Sequence, residues 1–144
     1  MCLKVASRKL KAETDILVFK CLDYQNGKYC TPFQYVPIDF NKGIEVIEGG
    51  NKSLTIEKEW DFIIKKNIRV INHGVHAYTT KAEALDTARH FHKTSGTEMH
   101  YAVIPKGTAY YVGLNFEVVA EKMIVFRSKR NYDKYAEGKE IKEI

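Results

Sequence analysis

The segment INHGVHAYTTKAEALDTARHF, residues 71–91, reads as a short strand, a cap and a helix. Val75, Ala77 and Thr79 alternate with His76 and Tyr78, the period of two of a strand. Thr80 stands three residues before Glu83, the spacing of a capping box. In that box the hydroxyl accepts the Glu83 amide and the carboxylate reaches back to the Thr80 amide. The helix it opens places Ala84, Leu85, Ala88 and Phe91 on one face. Lys81, Glu83, Asp86, Arg89 and Lys93 fall on the wet side. Glu83 in the first turn and Arg89 and Lys93 near the end suit the helix dipole. Gly96 lies just beyond, where a left-handed stop is easy.

Outward from this segment the chain is mostly strand-like. Residues 15–22 (DILVFKCL) are an apolar run of strand formers and predict a central strand. Asn26-Gly27 is the strongest turn dipeptide and joins that strand to residues 28–33 as a hairpin. Pro32 and Pro37 prevent a long continuous strand there. Residues 40–47 predict a short strand, and residues 49–51 a loop. Downstream, residues 99–105 form a strand stopped by Pro105, and residues 105–108 a turn. Residues 109–112 and 117–126 read as two further strands hinged at 113–115. Cys2, Leu3 and Val5 pattern as an edge strand at the start of a basic, weakly patterned segment that then reads as a loop.

Two segments support more than one reading. In residues 53–66, Trp60, Ile63 and Ile64 repeat as one face of a short helix, the favoured reading, while 54–56 also fits a strand. Residues 127–144 are highly charged, with Tyr135, Ile141 and Ile144 as anchors, and fit a docked terminal helix or a mobile tail. The fold class expected is α+β: a single domain over residues 1–144, with a twisted, mainly antiparallel sheet and two or three helices.

Composition narrows the classes. At 144 residues the chain fits one domain. Nine tyrosines and seven phenylalanines favour a sheet-rich core. No apolar run approaches the roughly 20 residues a membrane helix needs, and the first residues lack the apolar core of a secretory signal. No membrane partner is expected. Cys2, Cys21 and Cys30 lack metal-ligand spacing and read as reduced thiols in a cytoplasmic protein. The net charge of +5 is a mild bias toward anionic partners, and much of it sits in Arg8, Lys9, Lys11, Arg127, Lys129 and Arg130.

No motif fixes a reaction. His73 and His76 point to opposite faces of a strand, and His90 and His92 cannot face one another on a helix, so no metal site is expected. Cys21 lies in an apolar run and reads as structural; Cys30 has no identifiable base. No phosphate-binding loop, dinucleotide fingerprint or nucleophile elbow is present. RSKRNYDKY at 127–135 interleaves bases with aromatics, as a nucleic-acid surface would. It also reads as a solvated face, because acidic residues follow at once.

GVHAYTTKAEALDTA at 74–88 and IPKGTAYYVGLNFEVVAEKMIV at 104–125, with DILVFKCL…TPFQ before them, resemble a family of uncharacterised small proteins of bacteriophages and gut bacteria. That resemblance implies a setting and no chemistry. The order of pieces also resembles, more loosely, ADP-ribosyltransferase-like domains, which would imply an NAD-dependent enzyme. There Lys20 would take the early basic position, Tyr78 with Thr79 and Thr80 the strand before the helix, and Glu117 the catalytic glutamate.

The leading expectation is a small cytoplasmic accessory protein of phage type that binds without turnover and needs no cofactor. Its partner would be a nucleotide-like small molecule or a host protein, with Tyr78, Lys106, Tyr110 and Tyr111 as ligand contacts. The NAD-dependent transferase is one alternative. A virion or assembly component, marked by a stable homo-oligomer, is the other.

Overall fold

The structure, a computed structural model, describes residues 3–32, 36–49 and 54–144, and the side chains of these except 91–95. The expectations for Cys2, for Phe33 at the end of the first hairpin, for residues 50–51 of the loop and for the Phe91 side chain lie outside what is described.

Strand β3 (Asp15–Gln25) is the axis of the fold, for three reasons. It is the longest strand, it is buried along most of its length, and it pairs on both sides. One edge carries β10 (Thr97–Ile104) antiparallel, from Ile104↔Ile16 to Thr97↔Asp23. The other edge is shared by three elements in succession. The terminal β14 (Ile141–Lys142) pairs parallel at Asp15 and Ile16, β9 (Val75–Tyr78) touches only at Phe19↔Tyr78, and β4 (Lys28–Cys30) pairs from Asp23 onward. The β3–β4 turn is the expected one. Asn26 and Gly27 both take positive φ, 52° and 77°, as a two-residue hairpin of that twist requires.

The predicted strand at 117–126 is in fact two, β12 (Glu117–Ala120) and β13 (Lys122–Phe126), separated by a bend at Glu121. The bend lets one piece of chain serve two neighbourhoods: β12 pairs with β9, and β13 pairs with β10. The path β9–β3–β10–β13 therefore returns through β12 to β9, a small barrel-like ring. Alternate residues of its strands meet inside it: Ile16, Val18, Leu22, Val75, Ala77, Ala102, Ile104, Val118, Ala120, Met123 and Val125. The alanines at 77, 102 and 120 suit so narrow an interior.

Further strands extend the ring. From β12 the sheet continues to β11 (Ala109–Val112) and ends at β2 (Leu10–Lys11); from β13 it ends at β6 (Ile44–Glu48), and β5 (Pro37–Ile38) lines the edge of β4. Helix α1 (Lys81–Ser95) lies on the outside of the ring, where Ala84 and Ala88 pack on Phe19, Cys21 and Tyr78. The Glu83 amide donates to Thr80 Oγ1 at 3.3 Å, the first of the two bonds of the expected box. Gly96 stops the helix at φ +68°.

Helix α2 (Lys129–Ala136) decides between the two readings of the C-terminal segment: it is docked. Tyr132 meets Tyr101 and Phe126, Tyr135 meets Phe126, and the Tyr135 hydroxyl donates to Asp15 Oδ2 at 2.8 Å. The aromatics of 127–135 are thus spent on the sheet.

The helix expected in 53–66 does not form. Among the described residues of that stretch, β7 (Glu57–Asp61) and β8 (Lys66–Ile71) make a hairpin, joined by β1 (Leu3–Lys4) in a separate three-stranded sheet. Leu3, Leu54 and Ile71 seat that sheet against Tyr111 and Val119. Trp60, Ile63 and Ile64, which suggested an apolar helix face, are exposed at the far end of the hairpin. Apolar spacing was mistaken for burial. The whole is a mostly antiparallel sheet protein with two helices among the described residues, in one compact body.

Candidate functional site

Of the residues singled out from sequence, Tyr78 and Glu117 are brought together. They are cross-strand partners in the β9–β12 ladder and so share a face. The Glu117 carboxyl is half-buried, and burial raises its pKa, helped by the like charge of Glu83 and opposed by Lys4. Burial likewise raises the Tyr78 phenol, against a hydrogen bond from Thr87.

Lys20 does not join them. Phe19 is the residue that faces Tyr78, so the next side chain along β3 points to the opposite face, into the ring. There Lys20 is buried, and its Nζ donates to the carbonyl of His76 at 2.7 Å. β9 leaves β3 after a single pair, and the ammonium caps a carbonyl which the ladder would otherwise have engaged. Desolvation lowers its pKa to about 8. The set Lys20, Tyr78 and Glu117 is therefore split across two faces of the sheet.

The proposed ligand contacts divide as well. Tyr111 is buried against Leu3 and Ile71, and Tyr78 against α1. Tyr110 is half-buried beside the ring interior and is the cross-strand partner of Leu10. Lys106 is exposed at the β10–β11 turn. Of the four, Lys106 alone lines a feature that sequence reading did not assemble, which Tyr110 adjoins only through its partner Leu10.

That feature is an open groove of about 710 Å³ lined by Arg8, Lys9, Leu10, Lys11, Ala12, Glu13, Lys106 and Gly107. Its two walls are stitched by backbone. The Gly107 amide donates to Ala12 O at 2.7 Å, and the Ala12 amide donates to Thr108 O at 2.9 Å. Gly107 has φ +86°, a conformation natural to glycine, which tightens the turn so that Lys106 stands over β2. Asp15 fixes the same turn from below, its Oδ1 accepting the Lys106 amide at 2.8 Å while Oδ2 holds Tyr135.

Four cations thus converge on one groove with a single carboxylate, Glu13, among its lining residues. Among the described residues none of the four has an acidic side chain within ion-pair distance. Arg8, Lys9 and Lys11 were visible in the sequence as a basic run, and Lys106 as a turn residue. What joins them is pairing across nearly one hundred positions, which no local pattern announces.

Two histidines, His76 partly buried and His100 buried, lie elsewhere. His76 is pushed down to about 3 by burial and then by Lys20, so it is neutral. His100 sits between Tyr29 and Phe40, with its Nδ1 3.0 Å from Phe126 O. Among the described residues no three His, Cys, Asp or Glu side chains are grouped as metal ligands. Cys21 is buried, its Sγ donating to Ala84 O at 3.4 Å, and burial raises its thiol to about 11, which makes it inert. No helix among the described residues is long and apolar enough to cross a membrane.

Neither a family model, nor a curated protein, nor a solved structure matches this chain. The functional reading therefore rests on the chain's own geometry.

Proposed function

We propose that the protein is a small binding module that takes an anionic, nucleotide-like ligand in the groove between β2 and the 105–108 turn, without turning it over. The observation that carries this reading is the convergence of Arg8, Lys9, Lys11 and Lys106 on one groove whose lining holds a single carboxylate, none of the four forming an ion pair among the described residues. A volume of about 710 Å³ suits a ligand of nucleotide size. Mutual repulsion of four cations is relieved by a phosphate chain, whose charge they would share.

The test is a thermal-unfolding screen against ATP, ADP, AMP, NAD and pyrophosphate. A ligand at one hundred times its Kd stabilises the native state by about 2.7 kcal/mol, a rise of several degrees in Tm. The rise should shrink as salt is added. If no member of the panel moves Tm at millimolar concentration, the proposal is wrong, and the lysines serve only to keep the edge strand β2 from pairing with other chains.

The NAD-dependent transferase reading retains one favourable observation, the pairing of Tyr78 with Glu117. Its check is label transfer from NAD to cell lysate, abolished in Glu117→Ala.

A further inference from the structure

The β7–β8 hairpin turns its largest side chains into solvent. Phe62 and Ile63 at the tip are 83% and 91% exposed, and Trp60 and Ile64 flank them about half exposed. Four large apolar side chains in five consecutive positions are not scattered surface residues, and a patch of this kind marks contact with another phase or molecule.

The tip is also built to hold its shape without a core. Asp61 Oδ1 accepts the amides of Ile63 and Ile64 at 2.9 and 3.2 Å, and its Oδ2 pairs with Lys4 Nζ at 3.2 Å. Two amides of the turn are thereby satisfied internally, so moving them out of water leaves no orphaned donor there. Basic side chains predominate around the tip. Lys65 and Lys66 follow it directly and are exposed, Lys66 on Asp61's face as its cross-strand partner. Lys58 and Arg69 are cross-strand partners on Trp60's face of the hairpin. The acids are placed otherwise: Asp61 is committed to Lys4, while Glu57 and Glu59 lie on the opposite face, Glu57 accepting from Asn72.

We propose, against the expectation from sequence of no membrane partner, that this hairpin tip inserts into the interface of an anionic phospholipid bilayer. A convex apolar point fits an acyl boundary, whereas a groove would be needed to receive a helix or strand. Phe62, Ile63 and Ile64 enter the boundary, and Trp60 sits at headgroup level, where its ring is half in each phase. Lys58, Lys65, Lys66 and Arg69 lie against the phosphates. The attachment is peripheral and reversible, and it is independent of the groove at β2.

Trp60 is the sole tryptophan and reports on the contact directly. The full chain is mixed with vesicles of phosphatidylcholine containing phosphatidylserine, and separately with phosphatidylcholine alone. Trp60 emission should shift to the blue with the anionic vesicles, weaken with salt, and be quenched by brominated acyl chains. Phe62→Ser/Ile63→Ser should lower vesicle affinity about tenfold or more with Tm unchanged, since both side chains are exposed in the free protein. Lys65→Glu/Lys66→Glu should do the same through charge. Absence of a shift with anionic vesicles overturns the proposal, as does a shift that survives Phe62→Ser/Ile63→Ser. A blue shift that grows with protein concentration in the absence of lipid also overturns it, because a second copy then covers the tip.

Discussion

Replacing Lys20 with methionine probes the least expected residue of the core. Lys20 is buried inside the ring, and its Nζ has one hydrogen-bond acceptor, His76 O. Its pKa falls from 10.5 to about 8, which corresponds to about 3 kcal/mol of native stability forgone while the amine is charged in both states. The sign follows from the protons. Between about pH 8 and 10.5 the unfolded chain holds a proton that the folded protein has released, so stability rises with pH across that window. Methionine keeps the length of the chain and removes the charge. It also leaves His76 O without its donor, at a cost of about 1–3 kcal/mol. The variant should therefore equal the parent or exceed it by up to about 2 kcal/mol at pH 7. Denaturant unfolding at pH 7 and pH 9 supplies the second arm: the parent should gain about 1 kcal/mol on the variant between them. Cys21, whose raised pKa acts in the opposite direction from about pH 9 upward, largely cancels in the difference. A variant that loses more than about 2 kcal/mol and shows no relative change between the two pH values would refute a buried, depressed lysine.

Gly96→Ala should destabilise the protein by about 1–3 kcal/mol in the same assay, because φ is +68° and a Cβ would come within 2.8 Å of Tyr24 O. Tyr135→Phe should cost about 1–2 kcal/mol by removing the hydrogen bond to Asp15 Oδ2. Burial, with the Asp15 bond, raises that phenol to about 12. The unfolded chain then ionises first, and the parent's advantage over Tyr135→Phe should fade as pH rises from 10 toward 12; an advantage that persists at pH 12 would contradict this.

Local chemistry made the middle of the chain readable. Thr80 and Glu83 marked where α1 begins, Gly96 where it ends, and Asn26-Gly27 where β3 turns back, because each of these is decided by atoms a few residues apart. What failed depends on distant partners. β9 meets β3 at a single pair, so nothing in either strand foretells a ring, and Lys20 entered only as the early basic position of a resemblance, with no sign of its burial. The 57–71 hairpin escaped because Trp60, Ile63 and Ile64 are apolar without being buried, and periodicity arguments assume the two go together. The groove was half legible. Its cations were visible one at a time, while the Ala12–Gly107 contact that gathers them was not.

The central claim, a groove that binds a phosphate-bearing ligand, is met most directly by calorimetric titration of ATP into the parent chain and into Lys11→Glu/Lys106→Glu. Both side chains are exposed and lie on the groove, so the double variant should fold as the parent does. The account predicts saturable binding by the parent, weakened at least tenfold in the variant and by added salt, with melting temperatures unchanged. Equal affinity in the two proteins, or no heat of binding in the parent, would contradict it.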